Sequence, residues 1–385
     1  MNIKVIGDGA AGNKAVIEAI ERGVLHDGDY LLINSTLRDI PVNYRDKNCL
    51  ELLNSTGGCA KERDVAYELA VETLKDHDTQ IIFENFITED TDAVIMVSST
   101  SGGTGSGTSV VIGKWLRKQY GVPVHVFAFT GFENDIVELA NTINFFNELD
   151  PDFTVEVVSN KKYLEDGLNK MSAEKAANGE FCNKLEIMTG QLLIDSTQNL
   201  DDTELYNTVN NPGYSIIEKA SLNKLKNMDG FNKILASMID NTKSLDTSKG
   251  VHTLAVILNI KEDKREYIDF SFDAIKNKLG TPMYIFPHVQ YDENQEEYVA
   301  IIASGMKLPK EELKEVYDKF NSRKDTLDDS EDDFFDNDMK VSLNTGRSRR
   351  RGGRRTTLAR NSASEAELES DDNFLNKTGT IAKNF

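Results

Sequence analysis

Apolar and polar positions along the chain fall into blocks of two kinds. The apolar runs Ala93–Val97 and Val122–Phe129 read as buried strands of a parallel sheet, and residues 2–6, Tyr30–Ile33 and Thr154–Val158 read as further strands. Between them lie helical patterns. Val16, Ile17 and Ile20 line one side of a first helix, Val65–Leu74 makes another, and Val110–Leu116 reads as the start of a third. Ile136, Leu139, Ile143 and Phe146 follow a 3.6-residue period, and Ser172 stands as a cap before a long helical stretch, roughly 173–197. From about Gly250 the pattern turns β-rich, with runs at 251–260, 282–289 and 298–305 around a helix near 270–279. Pro309 then opens a helix with Leu313, Val316, Tyr317 and Phe320 on one stripe. Strands alternating with helices predict an α/β fold built on a parallel, Rossmann-like sheet, and the later run predicts a second, smaller α/β layer.

Composition changes this picture mainly at the C-terminus. A chain of 385 residues with 39% hydrophobic and 28% charged content has room for two full cores. Beyond about Asp325 the character shifts: Asp328–Asp338 is nearly all acidic apart from Phe334 and Phe335, and Gly346–Arg355 is strongly basic. Neither builds a core, so both are expected to be a disordered tail, with Asn373–Phe385 as a short docking peptide. A net charge of −20 argues against nonspecific nucleic-acid binding by the body of the protein. No apolar run approaches the ~20 residues that span a membrane, so a cytoplasmic protein without membrane insertion is expected. Cys49, Cys59 and Cys182 lack pairing or metal spacing and five histidines are scattered, so no metal site is expected on side chains.

The candidate chemistry lies in two glycine-rich stretches that each follow a strand and precede a helix. Ser101-Gly102-Gly103-Thr104-Gly105-Ser106-Gly107-Thr108 holds four glycines among eight residues, which frees the backbone for unusual φ/ψ and for close approach to a ligand. Unpaired N–H groups at the helix start behind it suit a phosphate. The plainer alternative is a flexible surface turn. It is not a Walker A loop, because Gly113-Lys114 lacks the spacing and is followed by Trp115, and no G-x-S-x-G elbow frames Ser101 or Ser106. The second stretch, Gly7-Asp8-Gly9-Ala10-Ala11-Gly12, also fits a dinucleotide fingerprint. That fingerprint wants a carboxylate after the next strand, where this chain has Asn34-Ser35-Thr36, which weakens a nicotinamide-dependent oxidoreductase as the alternative.

Gly102–Gly107 resembles the signature loop GGTG[ST]G of the tubulin/FtsZ superfamily. The resemblance implies a GTPase that binds GTP or GDP with Mg²⁺ on the terminal phosphate oxygens. It implies that Gly7, Asp8, Gly9, Ala10, Ala11 and Gly12 contact phosphates, with Asn13 as the polar residue near the base. Asn54–Arg63, with Gly57 and Gly58, takes the place of the loop that senses the terminal phosphate, though a polar loop ending in a helix start explains it equally well. Glu133 matches the ribose-binding glutamate, though a first-turn acid favoured by the helix dipole explains it as well. Ser159–Leu164 resembles P-N-D-x-L-L, which makes Asn160 a base contact, and either Asn178 or Asn183 reads the guanine edge. The stretch 172–197 resembles the central helix between a GTP-binding domain (1–171) and a second domain (198–308), followed by a C-terminal helix (309–327) and the tail (328–385).

Asn199-Leu-Asp201-Asp-Thr-Glu204 resembles the N-x-D-x-x-[DE] loop of the superfamily. There these residues enter the neighbouring subunit's site in a head-to-tail filament and polarise the attacking water. Taken alone, acids at this spacing are also an ordinary helix start. The arginine-rich tail and the degenerate third loop resemble the TubZ-type proteins of plasmids and phages, whose filaments move DNA through a centromere-bound adaptor. The tail is then the expected contact to that adaptor or to DNA. A cell-division FtsZ homologue is the alternative within the superfamily.

Overall fold

The long apolar runs become strands because successive residues feed two different cores. A computed structural model describes residues 1–45, 48–55, 57–196, 199–242, 250–307 and 310–325. Its strands are β1 (Ile3–Asp8), β2 (Tyr30–Asn34), β3 (Cys49–Glu51), β4 (Ala93–Ser99), β5 (Val124–Thr130), β6 (Thr154–Ser159), β7 (Gly213–Ser221), β8 (Thr253–Asn259), β9 (Tyr284–Gln290) and β10 (Tyr298–Met306). In β4, Val94 and Met96 join a core with Trp115, whereas Ala93, Ile95 and Val97 join another with Phe127 and Phe181. That two-sided burial explains a run with no polar alternation.

All ten strands form one sheet in the order β3-β2-β1-β4-β5-β6-β7-β10-β8-β9. The first six are parallel, and β1 lies between β2 and β4, pairing Asp8 with Ile33 on one side and Ser98 on the other. Chain connections diverge at that point, so a crevice opens beyond the carboxyl ends of β1 and β4, the usual ligand position in such sheets. The later strands join through β7, which is parallel to β6 over Thr154–Gly213 and Val155–Tyr214, and antiparallel to β10.

The helices are α1 (Gly9–Glu21), α2 (Val42–Arg45), α3 (Arg63–Lys75), α4 (His77–Phe86), α5 (Thr104–Tyr120), α6 (Ile136–Glu148), α7 (Asn160–Glu165), α8 (Lys170–Met188), α9 (Asp202–Val209), α10 (Met228–Asn241), α11 (Asp273–Leu279) and α12 (Lys310–Asp325). Two helix boundaries differ from expectation. Helix α8 begins at Lys170, not after Ser172, because Asn169 is the cap and its side chain accepts the Ser172 N–H; it ends at Met188, well short of 197. Helix α5 begins at Thr104 rather than near Val110, inside the glycine-rich stretch. Val316 and Phe320 of α12 pack on Leu139, Ala140 and Ile143 of α6. Pro309 and the acidic, arginine-rich and terminal parts of the tail lie outside the described residues.

Candidate functional site

Two helix starts converge at the crevice. Helix α1 begins at Gly9 directly after β1, and α5 begins at Thr104 after β4 and the short Thr100–Gly103 link. Their first-turn N–H groups and partial positive charges face one cleft of about 520 Å³. The signature glycines serve a purpose other than unusual backbone angles, since among Gly102, Gly103, Gly105 and Gly107 none has positive φ. They allow close approach. A Cβ on Gly105 would stand 2.6 Å from the Asp8 carbonyl oxygen, one on Gly103 would stand 2.7 Å from Lys61 Cα, and one on Gly107 would stand 2.4 Å from the Arg63 carbonyl oxygen. Gly102 faces open space. Gly12 lets α1 lie against β4, where a Cβ would collide with the Val97 carbonyl. Gly9 does need its freedom, with φ of +70°.

The third side of the cleft is the loop between β3 and α3. Gly57 and Gly58 have positive φ and open surroundings, and Ala60 and Lys61 are also left-handed. Such a conformation in consecutive non-glycine residues persists only where neighbours hold it. Here Lys61 Nζ pairs with Asp135 at 2.7 Å and Glu138 at 2.6 Å. Buried Asn141 of α6 donates its amide to the carbonyls of Lys61 (3.0 Å), Ser101 (3.1 Å) and Gly102 (3.1 Å), tying this loop to the signature loop. Arg63 completes the bracing: its guanidinium grips both carboxylate oxygens of Glu148, and Nε donates to the Ser106 carbonyl at 3.1 Å.

Asp8 forms the floor. It is fully buried, and the Thr108 hydroxyl lies 2.7 and 2.6 Å from its two oxygens. Burial pushes its carboxyl well above the ordinary value, against the lowering effect of Thr108 and the Gly9 N–H.

Of the residues expected from the sequence, Asp8, Gly9, Ala10, Ala11, Gly57, Gly58, Ser101, Gly102, Gly103, Thr104 and Gly105 line the cleft together. Ser106 and Gly107 sit behind them in α5, and the Ser106 hydroxyl bonds back to the Gly102 carbonyl. Gly7 and Gly12 are packing positions; a Cβ on Gly7 would meet Asn13 Oδ1 at 2.8 Å. Asn13 is buried and donates to the Ile33 carbonyl at 3.1 Å, while its Oδ1 lacks a partner. Asn160 does likewise: it donates to the Thr130 carbonyl at 2.9 Å and leaves Oδ1 unpaired. The Glu133 carboxylate is turned into its own loop, accepting from the Gly131 N–H at 3.1 Å and the Thr142 hydroxyl at 3.2 Å. Asn178 is buried in α8 one turn beyond Glu174, which does line the cleft. Asn183 lines a separate cavity with Lys162, Tyr163, Glu180 and Lys184.

Asn199, Asp201 and Glu204 lie on a different part of the fold. Asp201 caps α9, accepting the Glu204 N–H at 2.7 Å, while Glu204 accepts the Asp201 N–H at 3.1 Å. This reciprocal capping box realises the plain helix-start reading of both acids. Asn199 accepts the Ser196 N–H at 2.7 Å, and both Asn199 and Asp201 are exposed.

Sequence reasoning missed Lys14, Arg38, Lys61 and Lys170, the cations that line the cleft, together with Phe132 and the clamp Asn141. Lys14 pairs with Glu174 at 2.7 Å, and the Lys170 ammonium lies 5.0 Å from the Phe132 ring centre. Lys14 and Lys61 each follow a glycine-rich stretch within three residues, a signal that could have found them. Lys170, Phe132 and Asn141 carry no comparable signal.

The arrangement can hold a polyanion: two helix starts, left-handed loop residues and four cations surround one cleft. Residues 2–166 match a family model described as Tubulin/FtsZ family, GTPase domain. The tubulin-like protein CetZ4 of Haloferax volcanii is 24% identical over 278 residues, 67% of this chain and 69% of that protein. The crystal structure of TubZ from Clostridium botulinum phage c-st is similar with a TM-score of 0.67 at 18% identity, over 85% of this chain and 99% of that one. CetZ2 of Haloferax volcanii, solved as a GTPgS-bound protofilament, gives 0.65 at 16% identity, over 83% and 100% of the two chains.

Proposed function

We propose that this chain, whose residues 2–166 match the Tubulin/FtsZ family GTPase domain, is a filament-forming GTPase of that family whose hydrolysis is completed by the next subunit. The observation that carries the reading is a separation in space: the cleft with its two helix starts and four cations lies apart from the exposed Asp201 and the half-buried Glu204 at the start of α9. Residues 1–171 bind nucleotide in this reading, and residues 198–308 present the acidic helix start to the neighbour. Phosphoryl transfer is accelerated mostly by positioning and electrostatics. First-turn N–H groups of α1 and α5 hold the phosphates, and Arg38, Lys14 and Lys61 offset their charge. Bound Mg²⁺ would neutralise terminal phosphate oxygens, with Asp39 at the cleft wall as the carboxylate that fits beside it. A second subunit's Asp201 and Glu204 then leave their capping bonds to order a water. The CetZ2 protofilament supports filament assembly for this fold.

GTPase rate per molecule, measured against protein concentration, tests this. The rate should rise steeply above a threshold, and Asp201→Ala should bind GTP normally yet lose about 100-fold in turnover. A rate per molecule that stays flat through assembly refutes the reading.

We also propose a role in positioning DNA, resting on the arginine-rich tail as a salt-sensitive contact to DNA or to a DNA-bound adaptor. Deleting residues 340–385 should preserve assembly and abolish co-sedimentation with DNA and its adaptor. Equal recruitment of full-length and truncated filaments would remove this role.

A further inference from the structure

The segment leading into the acidic helix start is pinned at both ends to one edge strand of the sheet. His288 and Gln290 project from the same face of β9, two residues apart, and both are buried. His288 Nδ1 accepts the Leu200 N–H at 3.0 Å, one residue before the Asp201 cap. That bond leaves the ring proton on Nε2, which donates to Gln290 Oε1 at 2.7 Å. The same Oε1 accepts the Ile194 N–H at 2.9 Å, and Gln290 Nε2 donates to the Leu192 carbonyl at 2.7 Å. Burial lowers the His288 ring below its ordinary value, so it stays neutral and Nδ1 remains an acceptor.

We propose that His288 and Gln290 are positioning residues for hydrolysis: they fix where Asn199, Asp201 and Glu204 stand on the surface that meets the neighbouring subunit. The proposal rests on the neighbour-acid reading above. A water-orienting group displaced by about 1 Å loses about 100-fold in rate, so a loop presented across an interface needs an anchor in a rigid element. Strand β9 is that element, held along its whole length by parallel pairing with β8 from Thr253–Tyr284 to Asn259–Gln290. The two side chains bond the loop through backbone groups at Leu192, Ile194 and Leu200, so they act on its path whatever its side chains are.

The test uses the full chain and four variants. His288→Phe removes the acceptor for Leu200, and His288→Asn restores an oxygen near the place of Nδ1. Gln290→Met removes the bonds to Leu192 and Ile194 together with the acceptor of the His288 Nε2 proton, and Asp201→Ala reports on the acid itself. GTP affinity of unassembled protein should stay within about twofold in all four, whereas turnover in filaments should fall about 10- to 100-fold in His288→Phe and Gln290→Met and recover to within about threefold in His288→Asn. Hydrogen exchange at the Leu200 amide of unassembled protein should quicken in His288→Phe and slow again in His288→Asn. Full turnover in His288→Phe or Gln290→Met, with Asp201→Ala slow, overturns the positioning role alone. Full turnover in Asp201→Ala overturns the underlying reading and the proposal with it. Should His288→Phe fail to fold, Gln290→Met and His288→Asn carry the same comparison.

Discussion

Replacing Asn141 by Leu should weaken GTP binding without dismantling the fold. The Asn141 amide has two hydrogens and faces three carbonyls, those of Lys61, Ser101 and Gly102, at 3.0–3.1 Å. Leucine keeps the volume and removes every donor. At about 1 kcal/mol for each of two net hydrogen bonds, the ordered arrangement of the two phosphate loops loses about 2 kcal/mol relative to open ones. Apparent affinity falls with the population of the competent arrangement, so the dissociation constant should rise by up to about 30-fold. Titration of nucleotide-free protein with a fluorescent GTP analogue measures this, and hydrogen exchange at residues 57–62 and 101–104 shows whether the loops have opened. Asn141→Asp, which turns a carboxylate toward the same carbonyls, should be worse than leucine. Unchanged affinity in both variants, together with unchanged exchange, would refute the clamp.

Three further outcomes follow from the same geometry. Gly105→Ala should cost about 1–3 kcal/mol of stability by forcing the Asp8 carbonyl aside, whereas Gly102→Ala, whose Cβ meets nothing within 4 Å, should melt within a degree or so of the parent; equal melting of the two would undo the packing account. Arg63→Met should cost about 3 kcal/mol, at the low end for a broken buried pair because Glu148 keeps 24% exposure, and adding Glu148→Gln should recover part of it in denaturant titrations. The Asp8 carboxyl lies well above its usual 3.8 in the fold, so the stability it contributes is full below about that pH and is lost as pH rises through the raised value. The melting temperature of Asp8→Asn minus that of the parent should therefore grow as pH increases, and a constant difference would show that Asp8 titrates normally.

Much of the fold was legible in local pattern because its causes are local. Apolar runs such as Ala93–Val97 mark strands with both faces covered, and a 3.6-residue period marks α6, since each reports the surroundings of one element. The glycine-rich stretches were legible as strand-to-helix turns, which the structure brings to one cleft, and the order of weaker motifs behind them pointed to the family that the GTPase-domain match then bore out. The reason for the glycines was not legible. They answer to backbone of Asp8, Lys61 and Arg63, residues between about forty and a hundred positions away, and only the folded chain brings those together. Boundaries failed for a similar reason: Asn169 could cap α8 because its side chain reached the Ser172 amide, a choice between two good caps that composition leaves open. Asn141, His288 and Gln290 look like unremarkable polar residues on a helix and a strand, and their roles come from carbonyls and amides supplied by other segments. Sequence alone therefore determined most of the strands and helices and that the glycine-rich stretches stand between a strand and a helix, while short β3 and the joining strand β7 went unpredicted. Tertiary structure decided which side chains hold those stretches in place, because hydrogen bonds between distant segments leave no periodic trace in the chain.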